Sequence, residues 1–359
     1  MIKHRCTTRV TIGRDVAVDE ASIACRSQFA RHIIVFKPRK PTGKYHFKLY
    51  VCCCSTSWYV ISFKLHCASD LESRLEGVLP RSEITSIAEL TKESSGVRSH
   101  VIAVTASMKG TLRVVNTDNF YTSCLLLESL RSIGLYCRGT VRQTSQLFPK
   151  YTMIEAKHDT DRGQMKQGVS VEKHIVVASW VKGAVVNIVS NADSSDISTV
   201  FRRIGQEKVA FQALTCIKNY NAAMQGVDRH DQLRGRFSIA NGHSFKKWHK
   251  KLARAMVDIA RCNAYVCHEL CCGRTPGCEV NSIFDETKTR PEHRDHHRSF
   301  VAALVRELFD GSWIQWLESD NGLIYMSNET AQPPHQNSEH SHRDANCSAT
   351  SVLPQCIAK

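Results

Sequence analysis

Tyr220-Asn221-Ala222-Ala223-Met224-Gln225-Gly226-Val227-Asp228-Arg229-His230-Asp231-Gln232-Leu233 is the stretch on which the reading of this chain turns. It has the character of a helix start. If Val227 to Leu233 is helical, Asp228 and Asp231 stand at i and i+3 and share one face, so both carboxylates address one site. Two further aspartates close strand-like runs far upstream. One lies in Val16-Ala17-Val18-Asp19-Glu20, the other in Val114-Val115-Asn116-Thr117-Asp118-Asn119-Phe120-Tyr121-Thr122-Ser123. Three acidic residues so far apart in sequence can still form one metal site once the chain folds.

The 359 residues are 42% apolar, enough to bury a substantial core in one or two domains. Lysine and arginine number 48 against 34 aspartates and glutamates, a formal charge of +14, which favours a polyanionic partner over an acidic or purely small-molecule one. No apolar segment follows Met1-Ile2-Lys3-His4-Arg5, and no stretch approaches the roughly 18 apolar residues of a spanning helix. The expectation is an intracellular protein with no membrane association. Sixteen cysteines lie scattered through core-like segments, which reads as mostly reduced thiols rather than a disulfide framework.

Period-two spacing predicts strands over Arg14 to Val18 and His46 to Val51, with Phe47, Leu49 and Val51 on one face. Trp58, Val60 and Ser62 continue the pattern after a turn at Cys53 to Ser57, so an antiparallel unit of two or three strands is expected within residues 14 to 64. Residues 68 to 98 are polar. A helix is expected over Ser99 to Met108, stopped at Gly110, then a strand over Thr111 to Val115. Leu125, Leu126, Leu130 and Ile133 at helical spacing predict a helix over Ser123 to Ile133 that stops at Gly134, and the chain returns through Leu135 to Val141. The apolar runs Ile175 to Trp180 and Ala184 to Val189, parted by Val181-Lys182-Gly183, suggest a mostly β segment.

The clearest amphipathic helix is expected from about Ser244 to Leu270, with Phe245, Trp248, Leu252, Met256, Ile259, Asn263 and Val266 spaced by threes and fours. Lys246, Lys247, His249, Lys250, Lys251 and Arg254 crowd its first turns, a density of cations suited to phosphates or to a solvated helix face. Short helices are expected over Phe300 to Phe309 and Trp313 to Leu317. Residues 327 to 359 lack periodicity and read as a disordered tail.

In their order, these motifs resemble the catalytic core of piggyBac-type transposases and related element-derived proteins. The third motif is the most specific: Tyr220-Asn221, Gly226-Val227-Asp228 and Asp231-Gln232, followed by Lys247-Trp248, Asp258-Ile259-Ala260 and Asn263-Ala264-Tyr265. Asp118-Asn119-Phe120 with Thr122-Ser123 matches the second motif and Asp19-Glu20 the first, with Lys40-Pro41 and Lys44-Tyr45 matching the basic segment that follows it. The similarity covers roughly residues 15 to 270. Family members normally carry a long amino-terminal region before the first motif and a cysteine-rich zinc-binding module at the end. Here the first motif comes at residue 19, and residues 327 to 359 hold only Cys347 and Cys356.

The resemblance implies an α/β chain with an RNase H-like mixed sheet, flanking helices and a β-rich insertion before the last catalytic aspartate. It divides the chain into 1–142 as the first part of that core, 143–206 as the insertion, 207–326 as the remainder with carboxy-terminal helices, and 327–359 as the tail. Asp19, Asp118 and Asp228 would be the catalytic, metal-holding residues, with Asp231 an accessory carboxylate. Oxygen donors suit hard cations such as Mg2+ or Mn2+, two ions about 4 Å apart. Glu20 and Asn119 would orient those ligands. DNA, as transposon ends and target, would be the partner, met by Lys40, Lys44, Lys246, Lys247, Lys250, Lys251 and Arg254, with Arg31, Lys37 and Arg39 guiding it. A homodimer and a nuclear location, the latter inferred from the DNA substrate alone, complete the implied picture. The alternative is a degenerate or domesticated DNA-binding protein that keeps the fold without turnover.

Cys267, His268, Cys271, Cys272 and Cys278 fit no common zinc-finger spacing and read as reduced, partly buried thiols near a helix end. His293, His296 and His297 read as a solvated polar connection. No serine or cysteine nucleophile constellation is evident.

Overall fold

The computed structural model describes residues 10–39, 43–66, 96–155, 161–241, 245, 247–271 and 290–311. Lys40, Lys246, Cys272, Cys278, the segment Trp313 to Leu317 and the 327–359 tail lie outside the described residues. The chain separates into two compact units, one of residues 12–258 and one of residues 259–359 with residues 1–11.

The first unit is built on a mixed sheet of nine strands among the described residues. Its centre is β1 (Asp15–Ala24), flanked on one side by antiparallel β3 (Tyr45–Cys54) and on the other by parallel β5 (Val114–Thr117). Two short strands, β2 (Val35–Phe36) and β4 (Val60–Leu65), share the outer edge of β3. Beyond β5 follow parallel β6 (Tyr136–Thr140) and antiparallel β9 (Val185–Ser190), β8 (Ile175–Val181) and β7 (Met165–Ser170). Val16, Ala17 and Val18 are wholly buried because helices cover both faces of β1, which is why a central strand reads as a continuous apolar run.

The register assigns the two faces. Asp19 pairs with Val51 and Glu20 with Tyr50, so Ala17, Asp19 and Val51 share one face while Val18, Glu20 and Tyr50 share the other. On the second face, α1 (Gly96–Thr105) packs against β3 and β4, and its His100 ring stacks on Tyr50 at 4.1 Å. The first face is covered by α4 (Gly226–Arg236), which follows α3 (Thr215–Ala223). A Cβ on Gly226 would stand 3.1 Å from Cys54 O and 3.4 Å from Ala17 Cβ, so only glycine lets the start of α4 approach the sheet this closely. The α2 helix (Cys124–Ser132) lies against β6 and is capped by the Ser123 hydroxyl, which accepts from the Leu126 amide at 3.1 Å.

A two-stranded hairpin of β10 (Ile197–Ile204) and β11 (Glu207–Leu214) stands apart from the main sheet. Its Val200 and Ala213 join Trp180, Ile188 and Ile217 in one apolar cluster. Between 143 and 206 every described regular element is a strand. Behind them a buried ion network fastens the sheet. The Arg138 guanidinium donates to both Asp193 oxygens (2.6 and 2.9 Å), to Asp15 (3.1 Å) and to Asn116 (3.0 Å), while Ser190 and Asn219 donate to the same aspartate. Burial alone would raise the Asp193 carboxyl; the guanidinium and these hydroxyl and amide donors hold it below its usual range.

Several local expectations shift by a few residues. The strand expected over Thr111 to Val115 is Val114–Thr117, because Leu112 sits in the left-handed region at φ 56° and cannot extend the ladder. Trp58, at φ 60°, likewise delays β4 until Val60. In α2 the buried face is Leu126, Leu127 and Leu130, with Leu125 turned partly outward. The long helix α5 is Trp248–Cys271, so Phe245 precedes it, with its ring under the Arg254 guanidinium at 4.5 Å. In its first turns the buried positions are Lys251, Ala255 and Asp258, with Leu252 and Met256 only half-buried, whereas Ile259, Asn263 and Val266 are buried as the expected stripe has them.

In the second unit, α6 (Arg290–Phe309) is far longer than the expected Phe300 to Phe309. The reading of His293, His296 and His297 as a connecting loop is corrected, since all three lie on this helix; His296 is exposed as expected, His297 is not. His297 is fully buried, accepts from Arg261 Nη1 at 2.9 Å and stacks on Tyr265 at 4.3 Å. Cys267 is buried and in no disulfide, as are Cys25, Cys52, Cys53, Cys54 and Cys262. Among the described residues no helix is long and apolar enough to cross a membrane.

Candidate active site

The parallel register of β1 and β5 runs Asp15 with Val114 through Val18 with Thr117. One step further stand Asp19 and Asp118, and the β5–β6 register, ending at Thr117 with Gly139, brings Thr140 next in the row. Parallel strands sit about 4.8 Å apart, so three side chains on one face, Asp19 midway along β1, Asp118 just past β5 and Thr140 at the end of β6, form a short polar line. Gly139 makes the close packing of that line possible. A Cβ there would stand 2.5 Å from Thr117 O and overlap the Thr122 hydroxyl, which itself donates to Asp118 O at 2.7 Å.

Each aspartate is held by its own backbone. Asp19 Oδ1 accepts from the Glu20 amide at 2.7 Å, and Asp118 Oδ1 from the Phe120 amide at 3.0 Å. Burial pushes the Asp19 carboxyl up to about 6, and the charges of Asp118, Asp228 and Glu20 add to the rise against the Glu20 amide. Asp118 is raised by burial and by Glu20, opposed by the Phe120 and Tyr121 amides and by Arg142. Burial is thus the main cause of the rise in both carboxyls.

Asp228 reaches this neighbourhood from the first turn of α4, whose start abuts Ala17 and the Cys54–Ser55 turn; its side chain is exposed. Asp231, one turn on, is engaged by Arg234, whose Nε and Nη2 both donate to its Oδ1 at 2.9 and 2.7 Å. The structure thus sets Asp19 and Asp118 side by side and carries Asp228 close enough for its charge to bear on Asp19. Among the described residues no three His, Cys, Asp or Glu side chains close into a ready-made metal-holding group.

Glu20 faces the opposite side of β1. Burial would raise it, but ion pairs with Lys48 and with Lys37 (2.9 Å) hold it below the usual carboxylate range. Lys48 is itself buried and lies 4.7 Å from the Tyr50 and Phe120 ring centres. Asn119 is exposed.

Two residues of the site had no role assigned in the sequence. Tyr220 stands within hydrogen-bond reach of Thr140 (3.4 Å); burial, with the charges of Asp118 and Asp19, pushes its phenol up to about 12. Tyr220 was visible as half of the Tyr-Asn pair; Thr140 carried no local signal, because only strand pairing brings it to Asp118. The helix cations divide. Lys247, Lys250 and Arg254 are exposed, whereas Lys251 is buried and donates to Ala240 O. Lys251 is therefore turned into the protein and away from any phosphate, a correction to the set of DNA-contacting lysines. Asp258 of the Asp-Ile-Ala triplet is a buried anchor, accepting from Ser238 Oγ (2.7 Å) and the amides of Ile239 and Ala240.

The family model described as Transposase IS4 matches residues 1–265. The chain belongs to that family. This transposase-family chain is 30% identical over 159 residues to human PiggyBac transposable element-derived protein 2, a match covering 43% of this chain and 26% of that protein. It is 29% identical over 158 residues to human PiggyBac transposable element-derived protein 3, covering 42% and 26%. The matches thus span about a quarter of the length of these curated relatives. Among solved structures, a piggyBac transposase in a synaptic complex with hairpin DNA superposes with a TM-score of 0.60 at 18% identity, covering 89% of this chain and 57% of that one. That likeness shows the fold: a large mixed sheet with flanking helices, similar to the piggyBac transposase. The piggyBac-type resemblance carried by the three motifs is shown by these findings together.

Proposed function

We propose that this chain carries an RNase H-like core that cleaves and joins DNA strands by in-line displacement at phosphorus, with 143–206 as an insertion between the second and third catalytic aspartates. The observation that carries the reading is the juxtaposition of Asp19, midway along β1, with Asp118, just past the end of the parallel neighbour β5; burial pushes Asp19 up to about 6, with the charges of Asp118 and Asp228 adding to it. The donor chemistry fits a hard divalent cation: oxygen ligands, crowded and mutually repelling, at an edge open to a substrate. Asp19, Asp118 and Asp228 would hold Mg2+ or Mn2+, which when bound activates a hydroxyl and stabilises a leaving oxygen.

The chain's own residues do the rest. Asp19 must lose its proton to serve as a ligand, so protons compete with the cation as pH falls. The Glu20 and Phe120 amides fix the two carboxylates, and Arg234 restrains Asp231 as an accessory carboxylate. The Tyr220–Thr140 pair forms the wall beside Asp118. Lys44, Lys247, Lys250 and Arg254, all exposed, supply phosphate contacts. A DNA substrate implies action in the nucleus, and pairing of two transposon ends would bring two copies together.

A second reading, DNA binding without turnover, is favoured by the absence of a closed three-carboxylate group among the described residues. Cleavage of labelled duplex DNA carrying the flanking element's ends, with and without Mg2+ or Mn2+, separates the two. Metal-dependent products lost in Asp19→Asn and Asp228→Asn support catalysis. Products that persist in both variants remove the assigned site, and a well-folded parent that binds DNA but yields none leaves the binding reading.

A further inference from the structure

The described residues that follow β1 form a cationic pocket that no catalytic role explains. Arg26, Ser27, Gln28, Arg31, Lys44 and Tyr45 line a cavity of about 470 Å³, with Ile34 and Gly43 completing it. Three cations and no carboxylate face it, so it suits an anion, and its volume is in the range that holds a nucleotide-sized ligand.

Beside it stands an exposed aromatic pair. The Phe36 and Tyr45 rings stack with centroids 4.6 Å apart and planes at 29°, although the residues are 51% and 46% exposed; Phe29, also in this region, is 65% exposed. Tyr45 belongs to both features, since it lines the pocket and carries the stack. Two large rings left facing water by a short β2–β3 pairing are poorly explained by folding, because burying them would release apolar surface from water. Cations interleaved with exposed ring faces are instead the chemistry of a single-stranded nucleic-acid platform: the cations take phosphates and the rings take unstacked bases. A fully paired duplex offers phosphates to such a surface but no free base face.

The feature is joined to β1 itself, on the face opposite Asp19. Lys37, next to Phe36, donates its amide to Lys44 O at 2.9 Å and extends its ammonium to Glu20, the neighbour of Asp19. We infer that the Arg26–Arg31–Lys44 pocket and the Phe36–Tyr45 stack form a subsite for an unpaired nucleotide, phosphate in the pocket and base against the rings, which steers a frayed or single-stranded DNA end toward the Asp19 edge. This rests on the DNA-processing reading above and adds a preference for unpaired DNA.

Fluorescence anisotropy in EDTA tests it without catalysis, using a labelled blunt duplex, the same duplex with a short single-stranded extension, and that extension made of abasic sites. The extended duplex should bind roughly tenfold more tightly than the blunt one, in line with stacking of one or more bases. The advantage should vanish with the abasic extension and in Phe36→Ala/Tyr45→Ala, whose blunt-duplex affinity stays at the parent value, and persist in Phe36→Tyr. Arg26→Ala/Arg31→Ala/Lys44→Ala should weaken both duplexes and flatten their salt dependence. Equal binding of blunt and extended DNA by the parent, or a preference that survives the double aromatic variant, overturns the subsite while leaving the cleavage reading intact. No affinity for any of the three DNAs overturns both.

Discussion

Asp19 and Asp118, 99 positions apart in the chain, are neighbours across two parallel strands, one step beyond the Val18–Thr117 pair. That adjacency puts the Asp118 charge in reach of Asp19, whose carboxyl burial already raises.

Asp19 therefore contributes a pH dependence of definite sign. Its folded carboxyl titrates at about 6 against an ordinary value near 4, so the folded state binds more protons than the unfolded state between those limits. Stability without metal should fall as pH rises from about 4 to 6 and then level off with respect to this group. Asp19→Asn should remove that slope and raise neutral-pH stability by about 1 kcal/mol, after allowance for partial exposure and coupling. Urea denaturation at several pH values checks it; an unchanged slope in the variant rejects the cause.

Divalent cation should reverse the same penalty. At pH 7.5, Mn2+ at about ten times its dissociation constant should stabilise the parent by about 1.4 kcal/mol, a rise of a few degrees in melting temperature. At pH 5, where Asp19 is largely protonated, the rise should shrink, and in Asp19→Asn it should disappear. Thermal scans give the answer without any cleavage assay, and equal shifts in parent and variant exclude Asp19 as a ligand.

Gly226→Ala should harm both fold and site. The added methyl would meet Cys54 O at 3.1 Å, and backbone cannot swing aside as a flexible side chain would. A cost of about 1–2 kcal/mol is expected, together with displacement of Asp228 two residues on. The substitution should lower metal affinity as well as stability, whereas Gly235→Ala, which meets nothing within 4 Å, should leave both intact.

Arg138→Met tests the buried network. It leaves Asp193, whose side chain is 2% exposed, without its guanidinium partner. Removing one member of such a buried pair costs about 3–5 kcal/mol. Asp193→Asn in the same background should recover part of the loss, read as a double-mutant cycle in chemical denaturation.

The lysines of α5 should separate by direction. Lys250→Ala should weaken DNA binding, lower the magnitude of the log–log salt slope by roughly one and leave stability unchanged. Lys251→Ala should instead cost about 1–2 kcal/mol of stability, because the Ala240 carbonyl loses a charged donor and the stem its packing. Identical profiles for the two variants would contradict the burial of Lys251.

Much of this was legible in the residues. The strand-like run Val16, Ala17 and Val18 marked a strand, Ser123 and Gly134 bracketed a helix, and the order of the aspartate motifs pointed to the family. Misreadings fell where one local signal competed with a long-range one. Lys251 sits in a run of cations that looks solvated, yet the 238–240 segment, gathered by Asp258, packs over it. His297 sits in a polar run, yet Arg261 and Tyr265 enclose it.

The sequence by itself determined which segments extend and which coil, because period and capping act over a few residues, although β1 runs on to Ala24, past the Asp19 expected to close it. Only the tertiary structure decided that Asp118 falls beside Asp19, that Thr140 and Tyr220 line the same edge, and that Phe36 stacks on Tyr45 over a cationic pocket. Those relations depend on which strand pairs with which and in what register, a choice made by burial across the whole sheet and written in no single stretch of chain.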